Sequence, residues 1–223
     1  MKSKQTHFRF QPLRFILMAL FLGAVVPLLI HQHGVEPKTL GYSLVTILLC
    51  ATILTDIDTA KIPNALVLAG FVVWGLTVWF VTVPGNDFNI GTLFVPFFGE
   101  GFFSVMLDSL LAAIFIGGLL LVFSVVYEQV TGRPSLGGGD IKLIVMVSLF
   151  IGLTGSVFNL LLSCVFGLIL GFVWNLFGKQ HVHPDKAPPS AVQAKTFPFG
   201  PAIALATIVT FIFGPVLLAP YFL

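Results

Sequence analysis

Apolar residues fall in long blocks along this chain, and short stretches rich in glycine, proline and charge separate them. A helix crossing a bilayer needs about 20 mostly apolar residues. Runs of that kind predict helices at about 14–30, 41–55, 65–83, 104–127, 141–153, 156–177 and 197–220. The fifth is short and starts at a glycine run. The connections "HQHGVEPKT", "VPGNDFNIGTLFVPFFGEG", "EQVTGRPSLGGG", "GLTG" and "GKQHVHPDKAPPSAVQAK" carry the helix breakers. No internal repeat and no separate soluble domain is visible. The expected architecture is all-α: a polytopic helix bundle of about seven transmembrane helices, with a basic N-terminus and first helix over 1–40 and a membrane core over 41–223.

Composition supports this. Hydrophobic residues make up 57% of the chain and charged residues 9%, with a mean hydropathy of +1.03. Soluble domains carry about 25% charged residues, so a water-facing surface could not be covered and the lipid bilayer is the expected partner. The net charge is only +2, and no basic stripe is interleaved with aromatics, which argues against nucleic acid. The two cysteines, Cys50 and Cys164, both lie in apolar segments with no C-x-x-C pair. They read as helix packing rather than a zinc or redox site.

Lysine and arginine are retained on the cytoplasmic side. With the N-terminus inside, Lys38 is the single outer residue among 11 basic ones. The first segment has the basic leading region of a secretory signal, but no small-x-small cleavage site ends it, and it reads as a retained helix.

In this topology "TDIDTAKIPN" (55–64) follows the second helix and "SLGGGDIKL" (135–143) precedes the fifth. Asp56, Asp58 and Asp140 therefore share the cytoplasmic boundary. Ionisable groups at membrane depth are costly and tend to mark function. Pro63 ends the apolar run and pushes Ile62 toward extended backbone, so a turn is expected after Asp56, with Asn64 as N-cap of the third helix. Gly137, Gly138 and Gly139 allow unusual dihedrals and close backbone approach. Two carboxyls brought together share a proton and titrate as a unit. One can then take a proton from water while the other polarises a carbonyl. Spacing alone does not show that they meet.

"DIDTAKIPN" and "GGGDIKL" together resemble the type IV prepilin peptidases, membrane aspartic proteases of the GxGD class, and "FPFGPAIA" at 197–204 is similar to the Pro-Phe-Gly-Pro motif opening that family's last helix. The resemblance covers about 41–220. It implies Asp56 and Asp140 as catalytic aspartates, with Pro63, Asn64, Gly137, Gly139, Lys142, Pro198, Gly200 and Pro201 as supporting motif residues. It also implies metal-free, cofactor-free cleavage of a basic leader from prepilin-like proteins, at the cytoplasmic face of a bacterial or archaeal inner membrane. Longer family members carry a cytoplasmic C-x-x-C domain that methylates the new N-terminus. This chain resembles the short form of tight-adherence (Flp) pili. Asp58 puts a second acid in the first motif and is the backup for the catalytic role.

His181 and His183 sit in a polar loop without a fixed third ligand, and no H-E-x-x-H or G-x-S-x-G occurs. Gly167 and Gly171 form a small-xxx-small face for packing within the bundle or against a second copy. Lys61 and Lys142 flank the aspartates as counter-charges or snorkelling side chains. Asp87, Glu100 and Asp108 fall on the outer side. The competing functions are a proton-coupled carrier, which would want acids near the midplane, and a non-catalytic assembly factor.

Overall fold

A computed structural model of the chain describes residues 11–59, 61–80, 102–132, 135–177 and 198–218. These form six helices: α1 (Gln11–His33), α2 (Pro37–Thr59), α3 (Asn64–Phe80), α4 (Phe102–Thr131), α5 (Gly138–Phe177) and α6 (Gly200–Leu218). No strand occurs among the described residues. Four of the helices are long and apolar enough to cross a membrane, while Asn64–Val78 and Gly200–Gly214 are shorter apolar stretches.

The fifth and sixth expected segments meet end to end in α5, as two helices across a kink. Its 40 residues would span about 60 Å if straight, twice the hydrocarbon thickness of a bilayer. The helix is broken at Gly152, where φ is 66° and ψ −176°. That conformation costs an L-residue strain that glycine escapes, so the break sits where the sequence tolerates it, one residue before "LTG".

The α5 helix packs on α3, α4 and α6, and α2 packs on α1, α3 and α6. The core is aliphatic, with Leu49, Ile116, Leu143, Ile144, Phe150 and Ile208 among its members. Where α1, α2 and α6 meet, Tyr42 stacks on Phe211 with ring centroids 4.3 Å apart, and His33 Nε2 lies 2.7 Å from the Phe211 carbonyl oxygen. Buried hydroxyls turn back onto the carbonyl four residues earlier, as Thr46, Ser148, Ser163 and Thr210 do. These hydroxyls are thereby satisfied within their own helices, without water. Asn159 Nδ2 donates across to Thr207 Oγ1 at 3.3 Å, a polar tie between α5 and α6. Large side chains such as Phe15, Leu20, Leu68 and Phe123 point outward, where a membrane protein meets lipid.

Candidate active site

Three helix ends converge around Asp56. The α2 helix does not stop before the first motif; it continues to Thr59, with Thr59 Oγ1 donating to the Thr55 carbonyl at 2.7 Å. Asp56 and Asp58 are therefore helical, and the expected turn comes only at 61–63. No proline or glycine lies between Asp56 and Ile62, so the helix is free to continue past Asp56. Two residues apart on a helix is about 200° of rotation, so the two carboxyls lie on opposite faces. Asp56 is buried, 5% exposed. Asp58 is exposed and forms an ion pair with Arg14 of α1.

Asp56 Oδ2 accepts a hydrogen bond from the Gly200 backbone N–H at 2.9 Å. The start of α6 explains that contact. The Phe199 carbonyl accepts from Ala202 N–H at 3.0 Å and Ile203 N–H at 3.2 Å, so Phe199 stands at the N-cap and Gly200 is the first helical residue. A helix start leaves its first N–H groups without an internal partner. Pro201 has no N–H to satisfy, and that of Gly200 is taken by an aspartate from another helix. Negative charge at this end is also favoured by the helix dipole. A Cβ on Gly200 would lie 2.6 Å from Asp56 Oδ2, so the approach requires glycine. Pro198 and Pro201 are buried beside it. Phe199 fills the space over Gly167, where a Cβ would come within 2.4 Å of its ring. The Gly167 face, expected to pack helix on helix, receives an aromatic ring from the α6 entry instead.

Asp140 occupies the third position of α5. The Gly137 carbonyl accepts from Asp140 N–H at 3.0 Å and Ile141 N–H at 3.2 Å, which makes Gly137 the N-cap rather than Asp140. The half-buried Asp140 carboxyl lies within electrostatic reach of Asp56. The glycine run works by close approach and not by unusual dihedrals: positive φ is confined to Gly34, Gly132 and Gly152 among the described residues. A Cβ on Gly139 would lie 3.2 Å from Ile62 Cβ, and one on Gly137 would lie 2.9 Å from Asp140 Oδ2. The "IPN" turn thus packs on the "GGGD" turn, which brings the two motifs together.

The expected N-cap at Asn64 is replaced by Pro63, whose carbonyl accepts from Leu66 N–H at 3.1 Å. Asn64 Oδ1 is engaged elsewhere and accepts from Lys142 Nζ at 3.1 Å, a second tie between the motifs. The Phe199 ring and the Gly200 amide carry no ionisable group, so reading for titratable residues passes over them; the Pro-Phe-Gly-Pro resemblance was the signal that could find them. Asp87, Glu100, His181 and His183 lie outside the described residues. Asp108 is buried in α4, 0% exposed.

Because Asp58 faces away and is paired, Asp58→Asn is expected to keep activity within about twofold, as suits an exposed ion pair worth no more than about 1 kcal/mol. Processing assays on Asp58→Asn and Arg14→Ala check this. A loss equal to that of the Asp56 variant would return Asp58 to the centre of the site.

Apolar helices whose ends bring the Asp56 and Asp140 motifs together define a multi-pass membrane protein with a candidate two-aspartate site. The chain belongs to the type IV leader peptidase family, whose profile matches residues 43–172. It is similar to the prepilin leader peptidase/N-methyltransferase of Neisseria gonorrhoeae, at 25% identity over 89% of this chain and 57% of that protein. The enzyme of the same name from Aeromonas salmonicida is 28% identical over 91% of this chain and 58% of its own. That of Xanthomonas campestris is 36% identical over a shorter stretch, 40% of this chain and 27% of its own length. The chain thus spans a little over half the length of the relatives it matches most broadly. No solved structure matches it.

Proposed function

We propose that this protein is a membrane aspartic endopeptidase that removes the basic leader from prepilin-like precursors at the cytoplasmic face of the inner membrane, with Asp56 and Asp140 activating a water. The observation that supports this is the packing of the two aspartate motifs on each other, with Gly139 seated on Ile62 and Asp56 held by the Gly200 amide at the start of α6, in a chain of the leader peptidase family. One carboxylate takes a proton from water as its oxygen attacks the scissile carbonyl carbon. The other, carrying the shared proton, hydrogen-bonds the carbonyl oxygen. Collapse of the tetrahedral intermediate breaks the C–N bond, and the proton passes to the leaving nitrogen, giving a carboxyl and an amine. The Gly200 amide fixes Asp56 so that these steps need no rearrangement of the base. No cofactor and no metal take part in this scheme.

Co-expression with a short Flp-type prepilin, read by gel shift and N-terminal sequencing, tests the reading. A shortened product with a defined new N-terminus is expected. An inserted protein that leaves several prepilins uncut overturns it.

The carrier reading has one observation in its favour. Asp108 is buried within α4, and among the described residues neither carboxyl oxygen has a hydrogen-bond partner, a setting in which a carrier would keep a proton-carrying group. The same assay separates the two: Asp108→Asn keeps leader removal if the protein is the peptidase proposed here.

A further inference from the structure

Pro215 stands inside α6. Proline has no N–H, so the carbonyl four residues earlier, that of Phe211, loses its helical donor. Phe211 is buried, and in a bilayer a freed backbone carbonyl is tolerated where a neighbouring helix supplies a partner. His33, at the end of α1, does so: its Nε2 lies 2.7 Å from the Phe211 carbonyl oxygen. A carbonyl only accepts, so Nε2 carries the hydrogen. The imidazole is steadied by an edge contact with Tyr42 of α2, the ring centroids 5.3 Å apart and the planes at 73°.

We propose that His33 is a positioning residue of the peptidase. It supplies the hydrogen bond that Pro215 removes from α6 and thereby fixes that helix along its axis, so that Gly200 meets Asp56. This rests on the peptidase reading above and gives a role to α1, which lies before the family match at 43–172.

The link runs through α2 and α6. Asp56 and Tyr42 are both on α2, and their partners Gly200 and Phe211 are both on α6. The His33 cluster and the aspartate site therefore fix the same two helices at opposite ends. Between Pro201 and Phe211 the α6 sequence has neither glycine nor proline, so a shift at Phe211 reaches Gly200, about 16 Å away along the axis, undiminished. At that end the fit is close: the amide meets Asp56 Oδ2 at 2.9 Å, and even a Cβ on Gly200 has no room. The Tyr42–Phe211 stack cannot set the register alone, because offset rings bind over a range of positions. A hydrogen bond weakens within a few tenths of an ångström.

Melting temperatures and processing kinetics of full-length His33→Ala, Pro215→Ala, the double variant and His33→Gln test this. His33→Ala is expected to melt about 2–4 °C lower, the worth of one hydrogen bond in a chain of this size. Pro215→Ala returns an N–H to the Phe211 carbonyl, so in that background the loss of His33 should cost nothing. The kcat of His33→Ala is expected to fall about tenfold with KM unchanged. That is less than the about 10²-fold of a 1 Å misplacement, since the Asn159–Thr207 tie still restrains α6. His33→Gln, which keeps a donor nitrogen, and the double variant should both recover kcat.

A melting loss that is the same with and without Pro215 overturns the hydrogen-bond assignment. If His33→Ala fails to insert, insertion of the double variant supports the assignment and failure of both overturns it. A rescued melting temperature with kcat unchanged, or with KM alone altered, overturns the positioning role while leaving the peptidase reading in place. No cleavage by the wild type removes the peptidase reading and the positioning role together, whereas the melting series, which needs no substrate, still decides the bond.

Discussion

Asp56→Asn and Asp140→Asn should each reduce leader removal by about 10²–10⁴-fold, the usual worth of a positioned proton acceptor or donor, without loss of inserted protein. Asparagine is close to aspartate in shape and its carbonyl oxygen can still accept the Gly200 N–H, so the α6 contact survives while the proton-accepting group is gone. Asp56→Ala removes both and is expected to lower stability by about 1 kcal/mol more than Asp56→Asn, as loss of a helix cap does. The double variant should be no slower than the worse single one, because members of one catalytic unit are not additive. Gel-shift rates and melting temperatures of the four proteins check this. A single asparagine variant that processes within tenfold of wild type would sink the two-aspartate assignment.

Gly200→Ala is the second large effect expected. The added Cβ would lie 2.6 Å from Oδ2, 3.2 Å from Cγ and 3.4 Å from Cβ of Asp56. That short side chain is anchored on α2 and cannot swing clear without giving up its hydrogen bond. Either the carboxyl turns away or the start of α6 retreats, and either change misplaces the base; a displacement near 1 Å costs about 10²-fold in rate. Stability should change little, since alanine is a better helix former by up to about 1 kcal/mol and offsets part of the overpacking. Gly70→Ala is the control. Its Cβ would lie 2.5 Å from Met146 Sδ, but an unbranched methionine can move aside, so near-normal processing is expected. Equal loss in both variants would mean that packing in general, and not the Asp56 contact, governs activity.

What could be read from the sequence follows physical range. Apolar blocks mark the helices because the bilayer imposes a length, and the fifth and sixth blocks are two helices that meet at a kink at Gly152. They run on without a loop because "GLTG" lacks a proline and stays helical on either side of that glycine. The α2 helix runs to Thr59, past the turn expected after Asp56, because the influence of Pro63 reaches little beyond Ile62. The contacts that assemble the site were beyond reach. The seat of Gly139 on Ile62, the Gly200 amide on Asp56 and the Phe199 ring over Gly167 each join residues far apart in the chain, and no local pattern records which glycine meets which neighbour. The acids were legible as unusual charges; the amide holding one of them was not.

The Gly200–Asp56 bond also sets an order of events in biosynthesis. Both aspartates are in place once α5 has left the ribosome, but the amide that orients Asp56 belongs to the last described helix. A nascent chain ending before Pro198 would expose the α2 carboxyl without its partner and leave Gly167 without the Phe199 ring. The geometry described here is therefore reached only after α6 has been inserted, so a chain that has placed α2 and α5 alone does not yet present the formed site to the membrane proteins entering beside it.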